Sequence, residues 1–263
     1  MEDPVLLDVD RGVATITLNR PERLNAMTTP LVEALLQSVE AAAADPAVSV
    51  VVLTGAGRGF CAGGDVSTRT EEDVAPRPSF EEDVAAARRV MGLTELLHDM
   101  PKATIAKVNG PCAGAGMAMA CACDLRYAAE SAVFTTAFLT VGASGDHGLT
   151  WTLPRLIGAT KARELFLLPD RLRADEAERI GLVTRTVPDA DLTATVDAVA
   201  ERLAASPPLA LRLLKQNLVD AEHVSLGEVL DLETERLLRC FRDDESTAAA
   251  RRFLEKGARP AQT

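Results

Sequence analysis

The chain offers little conventional reactive chemistry for its size. It has 263 residues, three histidines and five cysteines: Cys61, Cys112, Cys121, Cys123 and Cys240. What it has in quantity is glycine, concentrated in two loops, "GAGRGFCAGGD" at 55–65 and "GPCAGAGMAMACACD" at 110–124. The second carries one charged residue in fifteen and reads as a glycine-hinged loop running into a buried helix. Glycine lets a backbone N–H approach a ligand with no Cβ in the way. Two amides from separate loops can therefore converge on one oxygen, and a helix opening at one of them adds its dipole. Such an oxyanion hole stabilises an enolate or a tetrahedral intermediate, one donor contributing roughly 3–4 kcal/mol. On composition alone, glycines that merely permit tight turns are the simpler account.

Other chemistries fit the same residues less well. A dinucleotide fingerprint needs G-x-G-x-x-G opening a helix; here Gly55, Gly57 and Gly59 are spaced G-x-G-x-G and "FCAGGD" continues as loop. A phosphate loop fails at Asp65, which stands after Gly64 where a lysine should meet phosphate. No G-x-S-x-G nucleophile elbow is present, and Ser144, Asp146 and His147 lie in one contiguous run, whereas a serine triad assembles from distant positions. Cys121 and Cys123 form a C-x-C without a second pair, which reads as small buried filler rather than a metal site. An odd cysteine count with three in one apolar region favours reduced thiols and a cytoplasmic location. The net charge of −11, with no basic stripe, argues against nucleic acid. The acidic start "MEDPVLLDVDRG" lacks the basic and apolar regions of a signal peptide, and the longest apolar stretch is too short and glycine-rich to span a membrane.

The elements that must position these loops follow from periodicity. Residues 5–9 and 13–19 alternate around "DRG" as a hairpin. Thr28 or Thr29 caps a helix over about 30–44, with Pro30 in its first turn. "SVVVLT" at 49–54 is a buried strand entering the first glycine loop. Residues 66–82 read as a mobile polar loop, followed by a helix over about 82–98. "ATIAKV" at 103–108 is a strand ending at Asn109-Gly110, and short strands are expected at 124–128 and 132–134. From about 190 onward the chain reads as helices, two of them separated by Pro207 and Pro208. Strand, glycine loop and helix recur, which favours an α/β fold.

The ordered motifs "ITLNRPERLNAM" (16–27), "VVLTGAGRGFCAGGDV" (51–66), "ATIAKVNGPCAGAGMAMACACDLRYA" (103–128), "FLTVGASGDHGLTWTLPRLIGATKARELFL" (138–167) and "ARRFLEKGARP" (250–260) closely resemble the crotonase, or enoyl-CoA hydratase/isomerase, superfamily. The resemblance spans nearly the whole chain. It implies an α/β fold built as a crotonase-like spiral of ββα units, with residues 1–195 as the acyl-CoA-binding core and 196–263 as a C-terminal helical trimerisation region. It implies an acyl-CoA thioester substrate, no permanently bound cofactor beyond the coenzyme A of that substrate, and a homotrimer or hexamer. It places the two oxyanion amides at Gly64 and Ala115. Candidate substrate and CoA contacts are Arg23, Ala26, Arg58, Ala62, Asp65, Val66, Phe138, Phe253 and Lys256; the carboxylates of Asp65 and Asp124 are themselves read as structural.

The resemblance also exposes a departure. Hydratases of the superfamily carry two glutamates, and the matching positions here are Ala118 and Phe138. One carboxylate survives in a suitable place, Asp146 of "GASGDHGLTWTLP", which matches the aspartate of several isomerase branches. A single base can carry a proton from one carbon to another while the thioester oxygen holds the intervening charge. The favoured reading is an enoyl-CoA double-bond isomerase with Gly64, Ala115 and Asp146 as its catalytic groups. In the competing role, Asp146 merely caps the following helix. Competing functions are a hydratase or lyase with a substituted acid and base, an aspartate-nucleophile enzyme, whose helping histidine is replaced near Met91, and a non-catalytic CoA-binding subunit. His147 would point elsewhere if its segment is helical.

Overall fold

The computed structural model describes residues 3–69 and 79–257. Its main sheet has six strands in the order β1-β2-β3-β4-β6-β9: β1 (Val5–Asp10), β2 (Val13–Leu18), β3 (Val50–Gly55), β4 (Ala103–Val108), β6 (Leu125–Ala129) and β9 (Arg185–Val187). The β1–β2 hairpin is antiparallel and every later pairing is parallel. Sequence and position agree. β3, "VVVLTG", is buried along its whole length, as a parallel strand covered on both faces must be, whereas β2 alternates between buried and half-buried positions. A smaller sheet, β5 (Cys112–Ala113), β7 (Val133–Thr135) and β8 (Leu172–Arg173), stands apart from the first.

Helices fill the gaps between strands. α1 (Thr29–Ala44) buries Leu31, Val32, Leu35, Leu36, Val39 and Ala42, a helical-period stripe against the core. α2 (Phe80–Asp99) opens in a capping box, Ser79 accepting from the Glu82 amide while the Glu82 carboxylate accepts from the Ser79 amide. Only its second half is buried, through Leu93, Thr94 and Leu97. The loop expected over 66–82 is therefore shorter: Val66–Arg69 form a 3-10 turn, the helix has begun by Phe80, and 70–78 lie outside the described residues. α3 (Ala115–Ala122) is buried on every side, which its uniformly small apolar sequence allows. Beyond it come α4 (Leu149–Ile157), α5 (Ala159–Leu167), α6 (Ala174–Arg179) and α7 (Leu192–Ala204).

The expected boundary at 195/196 falls inside α7. Val196 and Ala200 of that helix are buried with Val50, Val52 and Ile105 of the sheet, so α7 belongs to the core. The helices that extend from it are α8 (Pro208–Asp220), α9 (Leu226–Phe241) and α10 (Asp244–Gly257). α8 is tied to the core by buried Lys215, whose ammonium donates to Asp124. α9 has no buried residue and exposes Leu226, Leu230, Leu237, Leu238 and Phe241. Among the described residues no helix is long and apolar enough to cross a membrane.

Candidate active site

The two glycine loops are stitched together. The Phe60 and Cys61 amides both donate to the Pro111 carbonyl, and the Ala113 amide donates to the Cys61 carbonyl at 2.9 Å. Closeness is enforced by missing side chains. A Cβ on Gly116 would lie 2.5 Å from the Cys61 carbonyl oxygen, and one on Gly63 would lie 3.0 Å from that of Ala113 and 3.7 Å from the Gly114 Cα. Gly63 and Gly114 immediately precede Gly64 and Ala115, so the two candidate amides stand on touching stretches of backbone.

Among the described residues neither amide has a protein acceptor. Met27 pairs with Gly64 through the Met27 amide to the Gly63 carbonyl and the Asp65 amide to the Met27 carbonyl, which leaves the Gly64 N–H out of the ladder. A Cβ at Gly64 would meet nothing within 4 Å. Ala115 is the first residue of α3, and a first-turn N–H has no intrahelical partner. Gly114 precedes it at φ 50°, ψ −122°, a conformation open to glycine. The Gly114 amide is spent on the Thr135 carbonyl, which fixes the entry to the helix.

Two asparagines, Asn25 buried and Asn109 half-buried, hold the first loop from behind. Asn25, at φ 57°, donates to the Ala56 and Gly59 carbonyls and accepts from the Arg20 amide. Asn109 donates to the carbonyls of Gly55, Gly57 and Gly59. The loop thus spends its carbonyls inward. Arg20 adds a second brace: its guanidinium donates to the Ala26 carbonyl at 2.6 Å and to Asp65 at 3.2 Å. The Ala62 amide donates to the Leu24 carbonyl, which joins the 20–27 turn to the glycine loop. Arg23, Ala26, Ala62, Gly64, Asp65 and Val66 are therefore neighbours, with Arg23 and Val66 exposed. Asp65 accepts from the Ser67 hydroxyl at 2.6 Å, and this bond, followed by the Arg20 contact, holds its carboxyl below the usual range. Arg58 is exposed at the tip of the same loop. Phe253 lies exposed on α10, and the Lys256 side chain is outside the described residues.

Asp146 occupies a different environment. It does not cap α4: the cap residue is Gly148 and makes no side-chain bond, so the capping role weighed from sequence is not its role. Its Oδ1 is buried with no hydrogen-bond partner, and burial raises its pKa above the ordinary carboxylate value. Burial also pushes the Cys61 thiol up to about 12, with a smaller push from the Asp146 charge, which puts that carboxylate within electrostatic reach of the first loop. Phe138 lies against the second loop, its ring edge 3.7 Å from where a Gly114 Cβ would stand, and stacks on Phe166 at 6.3 Å. Ala118 is wholly buried in α3. The two positions that would hold hydratase glutamates thus present a methyl group and a phenyl ring.

His147 is not helical. At φ 46° it turns its ring toward α2, where Nδ1 shares a 3.1 Å hydrogen bond with Thr94 Oγ1, and burial lowers its pKa to about 4. It lines a cavity of about 410 Å³ that also gathers His98, His223 and Trp151. All three histidines and the single tryptophan of the chain meet there. Met91 faces the same space, while Gly64 and Ala115 do not border it. Sequence reasoning missed Arg20, Asn25 and Thr94; the nearest signals were the asparagines in "RLNAM" and "KVNG", each a residue type that tolerates left-handed or turn backbone.

All five cysteines are free thiols, four of them buried. Among the described residues no group of three or more His, Cys, Asp or Glu is arranged to hold a metal.

Comparison with known proteins identifies the family. The enoyl-CoA hydratase/isomerase family model matches residues 8–261, and the chain belongs to that family. It is 37% identical over 256 residues to the 1,2-epoxyphenylacetyl-CoA isomerase of Escherichia coli K12, covering 97% of each chain. It is 32% identical over 253 residues to the short-chain-enoyl-CoA hydratase of Clostridium acetobutylicum, covering 96% of this chain and 95% of that one. The crystal structure of an enoyl-CoA hydratase from Bacillus anthracis superposes with a TM-score of 0.88 at 31% identity, with 96% of each chain covered. The fold is the crotonase fold, and the chain is an enzyme of this family.

Proposed function

We propose that the chain is an enoyl-CoA double-bond isomerase working with one carboxylate base. The thioester oxygen of an unsaturated acyl-CoA accepts hydrogen bonds from the Gly64 and Ala115 amides. Asp146 removes a proton beside the thioester carbonyl, the two amides hold the resulting dienolate, and Asp146 returns the proton at the far end of the conjugated system. The observation that carries this reading is the buried, unpartnered Oδ1 of Asp146, set near the first loop while Ala118 and Phe138 stand where a hydratase needs acids. Burial lifts the carboxyl toward the range in which it can both take and give a proton. A carboxylate oxygen buried without a partner is costly to a fold, which supports a role in chemistry over one in structure.

Coenzyme A enters as part of the substrate. Arg23 and Arg58 are exposed beside the loops and suit its phosphates, and the backbone of Ala26, Ala62, Asp65 and Val66 forms the adjoining wall. Phe253 and Lys256 on α10 belong to a contact made across subunits. The uncovered apolar residues of α9 support assembly as a trimer or a dimer of trimers through the C-terminal helices.

The hydratase alternative draws on the name of the Clostridium relative. It needs a second acid or base, and the one candidate beside Asp146, His147, is engaged with Thr94. A panel of unsaturated acyl-CoA esters, including phenylacetyl-CoA derivatives because of the Escherichia coli relative's name, separates the two. Isomerisation leaves product mass unchanged in H₂O and adds deuterium in D₂O; hydration adds the mass of a water. Addition of water as the sole reaction across the panel would overturn the isomerase reading.

A further inference from the structure

Asp146 sits in a backbone that is expensive to hold. Gly145 has φ 121°, His147 φ 46° and Gly148 φ 67°, so three of the four residues from 145 to 148 lie at positive φ. Two are glycines, for which this is cheap, but His147 is a branched-ring L-residue in the left-handed region. Its backbone gives no compensation. The first bonds of the following helix are Leu149 to the Asp146 carbonyl and Trp151 to the Gly148 carbonyl, and the 145–148 amides donate to no backbone carbonyl among the described residues. Oδ1 of Asp146 has no partner that could orient the carboxylate directly. Thr152 Oγ1 donates to the Gly148 carbonyl at 3.4 Å from within α4, and the side-chain contact that ties the turn to another part of the fold is the 3.1 Å hydrogen bond between His147 Nδ1 and Thr94 Oγ1. Both residues are buried, and Thr94 is the only polar residue on the buried stripe of α2.

We infer that Thr94 and His147 are positioning residues for Asp146, α2 holding through this single hydrogen bond the left-handed turn that aims the carboxylate into the site. The inference rests on the reading of Asp146 as the base. Strained backbone that persists only because surrounding structure determines it is a recurrent feature of catalytic turns. Here the element doing so is a helix that also packs on α3, the helix opening at Ala115. Loss of the bond should let the turn relax and the carboxylate move toward water, where it titrates as an ordinary aspartate.

The test uses ¹³C-carboxyl-aspartate protein, with the Asp146 signal assigned by its absence in Asp146→Asn. In Thr94→Val, nearly identical in shape but without the hydroxyl, the Asp146 midpoint should fall toward its ordinary value of 3.8. Thr94→Ser, which restores the hydroxyl, should keep the wild-type midpoint. His147→Asn, suited to left-handed backbone but without the imidazole, should behave like Thr94→Val and serves if that variant folds poorly. On the substrate found by the acyl-CoA panel, Thr94→Val should lower kcat by about tenfold or more with KM unchanged. A merely structural bond would lower the urea midpoint of unfolding and leave the titration alone. An unchanged Asp146 midpoint in both Thr94→Val and His147→Asn overturns the inference. Wild-type turnover by Asp146→Asn instead overturns the base reading, whatever the titrations show.

Discussion

Two aspartates flank the site and their surroundings are opposite. Asp65, at the end of the first glycine loop, accepts from the Ser67 hydroxyl and amide and from Arg20, and its carboxyl is held below the ordinary range. Asp146, at the turn before α4, buries an oxygen that nothing bonds, and its carboxyl is raised. A satisfied carboxylate stabilises the loop that carries it. An unsatisfied one costs stability, a cost that the proposed role as a base would account for. The same residue type thus serves as a brace in one place and, on the reading proposed above, as a base in the other, the difference lying wholly in the neighbours.

The largest test of that contrast is turnover. Asp146→Asn should cost on the order of 10²–10⁴ in kcat with CoA-ester binding retained, while Asp65→Asn should leave kcat close to wild type. Comparable losses in both would erase the distinction. Ala115→Pro probes the other half of the site. Proline is tolerated at the first position of a helix, so α3 should form, yet the N–H is gone and kcat should fall roughly 10²–10³. Steady-state kinetics on one substrate measures all three.

Stability against pH gives the next largest effects, with signs that differ between groups. His147 is held neutral, its pKa near 4 against an ordinary 6.5. Between those values the unfolded chain binds a proton that the folded chain refuses. Its contribution is therefore full above pH 6.5 and is lost as pH falls, by up to about 3 kcal/mol. His147→Asn should flatten the urea-midpoint profile in that window. Asp146, with a raised pKa, contributes stability below the ordinary carboxylate pKa that is lost as pH rises through its folded value, so Asp146→Asn should have a higher urea midpoint than wild type at pH 7. Asp65, with a lowered pKa, contributes above the ordinary range and loses that contribution on acidification. Asp65→Asn should cost about 1–2 kcal/mol at neutral pH.

The smallest effect sits at the exposed rim. Arg58→Ala should weaken CoA-ester binding by less than about 1 kcal/mol at low salt and by nothing measurable at high salt, as for other solvated ion pairs. Isothermal titration at two ionic strengths reads it; an unchanged affinity at low salt removes Arg58 from the site.

Much of this was legible in the residues. Strands β2 to β4 follow their alternation or their unbroken apolar runs, and the fully buried α3 follows from "AGMAMACA". The glycine loops announced themselves by composition, and their pairing came from the resemblance of the ordered motifs. What was not legible depends on long-range packing. Arg20 and Arg23 are three residues apart and of one residue type, but it is Arg20 that reaches back to Asp65 and Ala26. Thr94 is an ordinary mid-helix threonine until α2 is laid against the 145–148 turn. From the sequence His147 is weighed only as a helical residue, whereas it stands at left-handed φ in a turn and points its ring at α2. The boundary expected at 195/196 lies within α7, since a change in composition does not mark where a helix stops contributing to the core, and Val196 and Ala200 still pack on the sheet.

The central claim is that one carboxylate moves a proton while two backbone amides hold the oxygen that takes the charge. The most direct measurement is deuterium exchange at the α-carbon of a bound acyl-CoA substrate in D₂O, comparing wild type with Asp146→Asn at saturating ester. The account predicts that wild type washes deuterium into unreacted substrate and product. Asp146→Asn, binding the ester as tightly, should show no exchange over the same time. Exchange by Asp146→Asn at the wild-type rate would contradict it.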